Sequence, residues 1–331
     1  MPSSEGTMNL GRTSPYRLTP NLLSIGFGTT GVAQAWALAE ETVDAPSWPA
    51  DVLWITAAVF WVVITVSYLG NVIAQGRLGA QMPDPIMGPF TSVLLIVPML
   101  LGIALEPHAS TAGRTIFAIS LVLTILLGAW LTGLWIRADI DLVQWHPGYF
   151  LPTVAGGFIA SAGSATLGWT TLGRLMLGYG LVCWFVLGSI MLLRLFTQPM
   201  LPPPLLPTIA IEVAPPVVGG NAWFALNHGR LDIVAALFGG YAALMVLVQF
   251  ALIPVYRKAP FGPAYWAFAF SYAAVFTDAV RWLDIEHVDA QESLTYLLLS
   301  IATAALLALL TRTVLGLARG TFLPRAPSPT H

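Results

Sequence analysis

The side chains able to do chemistry are few and scattered. Five histidines, His108, His146, His228, His287 and His331, fall in connections or in the tail, and Cys183 is the only cysteine. They form no metal-ligand spacing and no pairing with the lone thiol. One cysteine also rules out an intramolecular disulfide. No Gly-rich phosphate loop is present, so ATP-driven transport by this chain is not expected, and neither is a cofactor. What remains are charges set inside apolar runs. Glu212 lies about 7 Å beyond Pro207 by helical rise, and acids inside a membrane are candidates for function. Ionised and facing a lumen, it repels anions; protonated, it couples proton movement to anion movement. The other reading is an interfacial carboxylate bonded to a neighbour. Asp278 and Arg281 stand three residues apart, the spacing of an i,i+3 ion pair on one helical face. An anion-collecting role for Arg281 is the alternative.

The elements that hold these residues are set by composition. The chain has 331 residues, 56% hydrophobic and 9% charged, with a mean hydropathy of +0.76. A soluble chain is about a quarter charged, so a water-soluble enzyme is excluded. The formal net charge of -2 gives no field that recruits nucleic acid. A helix needs about 20 apolar residues to cross the hydrocarbon core. Ten stretches meet this: 20–39, 50–73, 88–105, 115–136, 149–168, 172–194, 205–226, 230–254, 262–283 and 293–316. Runs such as Ile116 to Leu127 do not alternate in polarity as β-barrel strands would.

The chain is therefore expected to be an all-α integral membrane protein. Residues 20–316 form one ten-helix domain between a tail of residues 1–19 and a tail of residues 317–331. The Pro-rich end from Leu323 is expected to be disordered. Arg12 and Arg17 precede an apolar run ending Ala37-Leu38-Ala39, which resembles a signal-peptidase site. Gly26, Gly28, Thr29, Thr30 and Gly31 interrupt that run, so the first helix is read as retained. With the N-terminus in the cytoplasm, the inner segments carry Arg12, Arg17, Arg77, Arg137, Arg194, Arg257, Lys258, Arg312, Arg319 and Arg325. The outer ends carry only Arg114, Arg174, Arg230 and Arg281. That bias puts both termini inside. Trp48, Trp54, Trp61, Trp145, Trp169 and Trp282 lie near span ends, as interfacial anchors would.

Each odd-numbered span starts at a proline: Pro20, Pro89, Pro147, Pro207 and Pro263. Proline suits the first turn of a helix, where its missing N–H costs nothing. The chain reads as five like-oriented helical hairpins, repeats related by an axis along the membrane normal. The odd spans are the richer in Gly and Pro, which allow close backbone approach. They are assigned to an inner ring, and the Leu-rich even spans to the lipid face. Such a ring leaves an axial pore, and the alternative is a tightly packed, closed centre. Seven to nine residues from each entry proline fall Gly28, Pro98, Gly156, Pro215 and Phe270, about 10–14 Å deep. These residues, with Pro152, are the candidate pore-lining kinks and, in Phe270, a ring able to gate. No Lys or Arg falls in the middle of an odd span, so an anion would be held weakly through dipoles and hydroxyls. Thr29, Thr30, Ser92, Thr153 and Thr208 are the candidate hydroxyls, unless they bond their own backbone.

Three segments carry a family likeness. Trp145-His146-Pro147 through Phe150-Leu151-Pro152-Thr153-Val154-Ala155-Gly156, the stretch Pro199 to Pro216, and Tyr265-Trp266-Ala267-Phe268-Ala269-Phe270 resemble the tellurite-resistance/dicarboxylate transporter family, which includes the plant slow-type anion channels. The resemblance covers essentially all ten spans. It implies a ten-helix protomer with a pore lined by the odd helices, assembled as a homotrimer in the cell membrane. It implies small anions as cargo: chloride, nitrate, sulfite or C4-dicarboxylates. It also implies a pore phenylalanine gate, which corresponds here to Phe270. Plant relatives follow that aromatic with proline, where this chain has Ser271. Two alternatives stand beside an anion channel. One is a proton-coupled C4-dicarboxylate carrier using Glu212. The other is a membrane enzyme or assembly factor with a closed bundle.

Overall fold

The computed structural model describes residues 18–74 and 81–324, and the regular structure among them is helical throughout. Most of the N-terminal tail, with Arg12 and Arg17, the connection holding Arg77, and the C-terminal end from Arg325 lie outside the described residues. The α-helices are α1 (Ser24–Val43), α2 (Trp48–Ala74), α3 (Val93–Leu105), α4 (Ser110–Arg137), α5 (Gly156–Thr166) and α6 (Thr170–Thr197). They continue as α7 (Ala214–Asn227), α8 (Ile233–Ala251), the short α9 (Ile253–Tyr256), α10 (Trp266–Ile285) and α11 (Gln291–Ala318).

Eight helices, counted with their lead-in turns, are long and apolar enough to cross a membrane. They fall into two kinds. In the α1, α3 and α7 stretches 83%, 61% and 83% of the apolar window is buried. In α2, α4, α6, α8 and α11 the share is 17%, 33%, 22%, 28% and 22%. The second kind turns Val63, Leu126, Phe185, Leu247 and Val314 outward, as helices facing hydrocarbon do. Two further stretches fall outside the eight. The α-helical part of α5 has only 11 residues, and α10 carries Asp278, Arg281 and Asp284.

The buried helices meet in a closed circuit. α1 contacts α3, α3 contacts α5, α5 contacts α7, α7 contacts α10, and α10 returns to α1. Each also packs on the helix after it, namely α2, α4, α6, α8 and α11. Turns of three to five residues join these pairs, too short for anything but antiparallel neighbours. Asp44 and His228 close α1 and α7 in the left-handed conformation, with φ of 53° and 61°.

All five buried stretches open as 3-10 helix: Pro20–Leu23, Gly88–Ser92, Pro147–Phe150, Pro203–Val213 and Pro263–Tyr265. Proline in the first turn sets φ and withholds an N–H that has no partner there. Pro207, read from sequence as an entry residue, lies within its 3-10 segment instead, because Pro203 and Pro204 already occupy the first turn. The helix expected from residue 230 begins at Ile233. Asp232 caps it, its Oδ1 accepting from the N–H groups of Val234 at 3.0 Å and Ala235 at 2.9 Å. These two bonds and the Trp223 indole hold the Asp232 carboxyl below the usual carboxylate range. Leu151–Ala155, which contains Pro152, is a π-helical stretch. Such local widening is how a helix accommodates an irregular backbone, and it is frequent at functional sites.

Candidate functional site

Among the described residues, the circuit of five helices surrounds a smaller and a larger cavity. The one toward the proline end measures about 30 Å³, room for one or two waters. Its wall comes from all five buried stretches: Phe27 from α1, Phe90 before α3, Val154 and Phe158 around α5, Pro215 on α7, and Phe270 on α10. The cavity toward the hairpin turns measures about 790 Å³. Gln34, Ile103, Ala162, Asn221 and Thr277 place the same five helices around it. Phe270 and Val218 line both cavities, so they form the partition between them.

At the partition the Phe270 ring lies face to face on Phe27, with centroids 3.6 Å apart and planes 12° apart. Both rings are buried, at 7% and 4% exposure. With so short a centroid separation the rings have almost no lateral offset, so the contact is held by dispersion and exclusion of water and not by the quadrupole attraction of an offset or edge-on pair.

Of the candidate pore residues, Phe270 and Pro215 line the cavities, whereas Gly28, Pro98, Pro152 and Gly156 line neither. Gly28 abuts α10, where a Cβ would meet the Ala269 side chain and come within 3.2 Å of the Trp266 ring. Gly156 faces α4, a Cβ there standing 2.7 Å from the Thr124 methyl. The Pro152 carbonyl also turns to α4, at Gly128. Pro98 frees the carbonyl four residues back, and the Trp61 indole of α2 donates to that Leu94 oxygen at 3.0 Å. Trp61 therefore sits half way along α2, not at an interface.

Glu212 is buried and lines neither cavity, and its Oε1 has no hydrogen-bond partner among the described residues. Tyr241 and Tyr256 lie within its electrostatic reach. The hydroxyls turn to their own backbone. Thr29 donates to Ile25 O at 2.8 Å, Thr30 to Phe27 O at 2.7 Å, Ser92 to Pro89 O at 2.6 Å and Thr208 to Leu205 O at 2.7 Å. Thr153 faces Cys183 of α6.

Asp278 and Arg281 do not form the ion pair that their spacing suggests; among the described residues the ion pair within 4.0 Å is Glu106–Arg114, at 3.0 Å. The two side chains diverge. Asp278 is buried against Gly220 of α7, whereas Arg281 enters the larger cavity. Glu40, Glu41, Asp51 and His108 also line that cavity. No group of three or more metal-ligating side chains occurs among the described residues.

Phe27 was missed in the sequence because counting depth from Pro20 picks out its neighbour Gly28. One residue turns a helix by about 100°, so adjacent positions at one depth face different ways. The signal that finds the lining is the 3.6-residue period. Phe27, Gly31, Gln34 and Leu38 on α1, and Phe270, Ala274, Thr277 and Arg281 on α10, are each such a series.

The profile of the voltage-dependent anion channel family matches residues 17–314. The chain is also 26% identical over 278 residues to a tellurite resistance protein TehA homolog of Haemophilus influenzae, covering 83% of this chain and 84% of that relative. The family resemblance carried by the three sequence segments thus extends across every helix that walls the two cavities, and the chain belongs to the voltage-dependent anion channel family.

Proposed function

We propose that this protein is a passive channel for small anions, with a conduit along the axis of the five buried helices and a gate at Phe270. The observation that carries the reading is the pair of cavities, each lined by the same five buried stretches, that share Phe270 and Val218 in their walls. In this reading the chain crosses the cell membrane ten times, as five like-oriented hairpins, with both termini in the cytoplasm and a homotrimer as the assembly. The smaller cavity faces the cytoplasm and the larger faces out. Neither Lys nor Arg lines the smaller cavity. An anion there meets only uncharged dipoles, from the backbone, the Ser24 and Ser271 hydroxyls and the Asn21 amide, which suits fast passage and weak discrimination among chloride, nitrate, sulfite and C4-dicarboxylates. An apolar, aromatic constriction also closes by excluding water. Membership of a transport family argues against the closed enzyme or assembly-factor reading.

The test is anion flux. Phe270→Ala is expected to raise chloride or nitrate conductance in whole-cell recording, because it removes the ring between the two cavities. Wild-type current at equal surface amount removes the gate.

A second reading, a proton-coupled C4-dicarboxylate carrier, rests on Glu212, a buried carboxyl whose Oε1 lacks a partner. It predicts malate flux that depends on a proton gradient and loses that dependence in Glu212→Gln. Flux insensitive to pH in both proteins ends it.

A further inference from the structure

We infer that Phe27 is the residue that holds the gate shut: α1 forms a seat for the Phe270 ring, and the channel opens by peeling that ring off Phe27. This rests on the reading of Phe270 as the gate. The seat is built from two positions one helical turn apart. Phe27 supplies a flat face, stacked on Phe270 with centroids 3.6 Å apart. Gly31 supplies the absence of a side chain, since a Cβ there would stand 3.2 Å from Phe270 Cδ2 and 3.0 Å from Ala273 Cβ. Residues i and i+4 share one face of a helix, so the two form a single concave surface on α1. α1 and α10 are pressed together beside it, where a Cβ on Gly28 would meet Ala269. The seat is therefore carried on a rigid helix pair.

The cavity walls separate the two roles. Phe270 borders both cavities, whereas Phe27 borders only the smaller one. Phe270 is thus the partition, and Phe27 stands behind it as a positioning residue. Ring stacking stabilises the closed orientation of Phe270 relative to a swung one. Loss of that buried ring-on-ring contact, a sum of many close atom pairs, shifts such an equilibrium by at least about twofold.

The experiment is a set of variants read by chloride current normalised to surface protein. Phe27→Ala and Phe27→Leu are both expected to raise basal current by at least about twofold. Leucine keeps bulk but has no flat face, and it also supplies the result should the alanine variant fail to reach the membrane. Phe27→Tyr keeps the ring and is expected to stay at wild-type current. Phe27→Ala added to Phe270→Ala is expected to change nothing further, because the ring it seats is already gone. Wild-type current in both Phe27→Ala and Phe27→Leu, beside a raised current in Phe270→Ala, overturns the seat and leaves the gate standing. A double variant well above Phe270→Ala also overturns it, in favour of two independent barriers. Failure of the gate itself is read separately, from Phe270→Ala alone.

Discussion

At the residue scale, His146 shows how a polar group is fixed at the mouth of a buried helix. Its Nδ1 accepts from the Gly148 N–H at 3.2 Å, so Nε2 carries the proton and donates to the Ile86 carbonyl at 2.9 Å. Phe90 stacks on the ring with centroids 5.5 Å apart, and Tyr149 meets it edge-on at 5.4 Å. The neutral imidazole thereby pins the 81–88 segment to the start of the α5 stretch. Burial pushes its pKa down to about 4, and the nearby Arg194 adds to that. An unfolded chain titrates the same group near 6.5. Between those values the unfolded state binds more protons, so stability is full above pH 6.5 and falls as the pH drops toward 4. The whole window is worth about 3 kcal/mol. The expected outcome is a lower Tm in detergent at pH 4.5 than at pH 7.5, with His146→Asn losing that part of the slope along with some stability at neutral pH. An unchanged slope in the variant assigns the pH dependence elsewhere. The sequence locates His146 between elements, beside its motif prolines, but nothing in the local pattern marks it as fully enclosed. Its partners come from a segment sixty residues away.

At the element scale, lengths and punctuation were legible, while the neighbours that satisfy each irregularity were not. The entry prolines and apolar runs mark each helix to within a few residues, because both are local properties. The consequence of Pro98 is not local. Its missing N–H leaves the Leu94 carbonyl free inside the bundle, and the donor that meets it, Trp61, comes from the preceding helix. Trp61→Phe keeps the packing surface and deletes that donor. It is expected to cost about 1–3 kcal/mol, the usual penalty for an unsatisfied buried carbonyl. Pro98→Ala in the same chain restores an N–H four residues along, so the double variant should melt above Trp61→Phe. Equal melting of the single and double variants in detergent would show that the indole acts by packing. The α3–α4 crossing gives a second element-level expectation. A Cβ on Gly113 would stand 2.6 Å from the Gly102 carbonyl and 2.7 Å from Glu106 backbone atoms. Because the obstacle is main chain, Gly113→Ala cannot be absorbed by a rotamer. A lowered Tm is expected, and an unchanged one would mean that the two helices slide apart freely.

At the scale of the whole molecule, the electrostatics of the larger mouth follow from how the helices are arranged. The sequence already sets Glu40, Glu41, Asp44 and Asp51 in and around the first hairpin turn without a basic residue. Three of them, Glu40, Glu41 and Asp51, line the 790 Å³ cavity, where Arg281 and His108 are the basic groups. That convergence depends on the closed circuit of helices, which a linear pattern does not specify. A mouth richer in carboxylates than in fixed cations depletes anions next to the proposed gate, so it slows entry from that side more than it slows escape over the Phe270 barrier. The proposed orientation makes this a bias toward anion efflux. A mouth potential of roughly one kT corresponds to about a threefold change in local anion concentration. Neutralising Glu40, Glu41 and Asp51 to Gln, Gln and Asn in a Phe270→Ala background is expected to raise anion influx about threefold at low ionic strength. Arg281→Gln should lower it. Both effects must shrink in about 1 M salt, where the screening length falls to about 3 Å and the cavity charges no longer act on the permeating ion. Current–voltage curves from excised patches decide it. If the neutralised channel rectifies like its parent at every salt concentration, the carboxylates face water too freely to set the direction of flow.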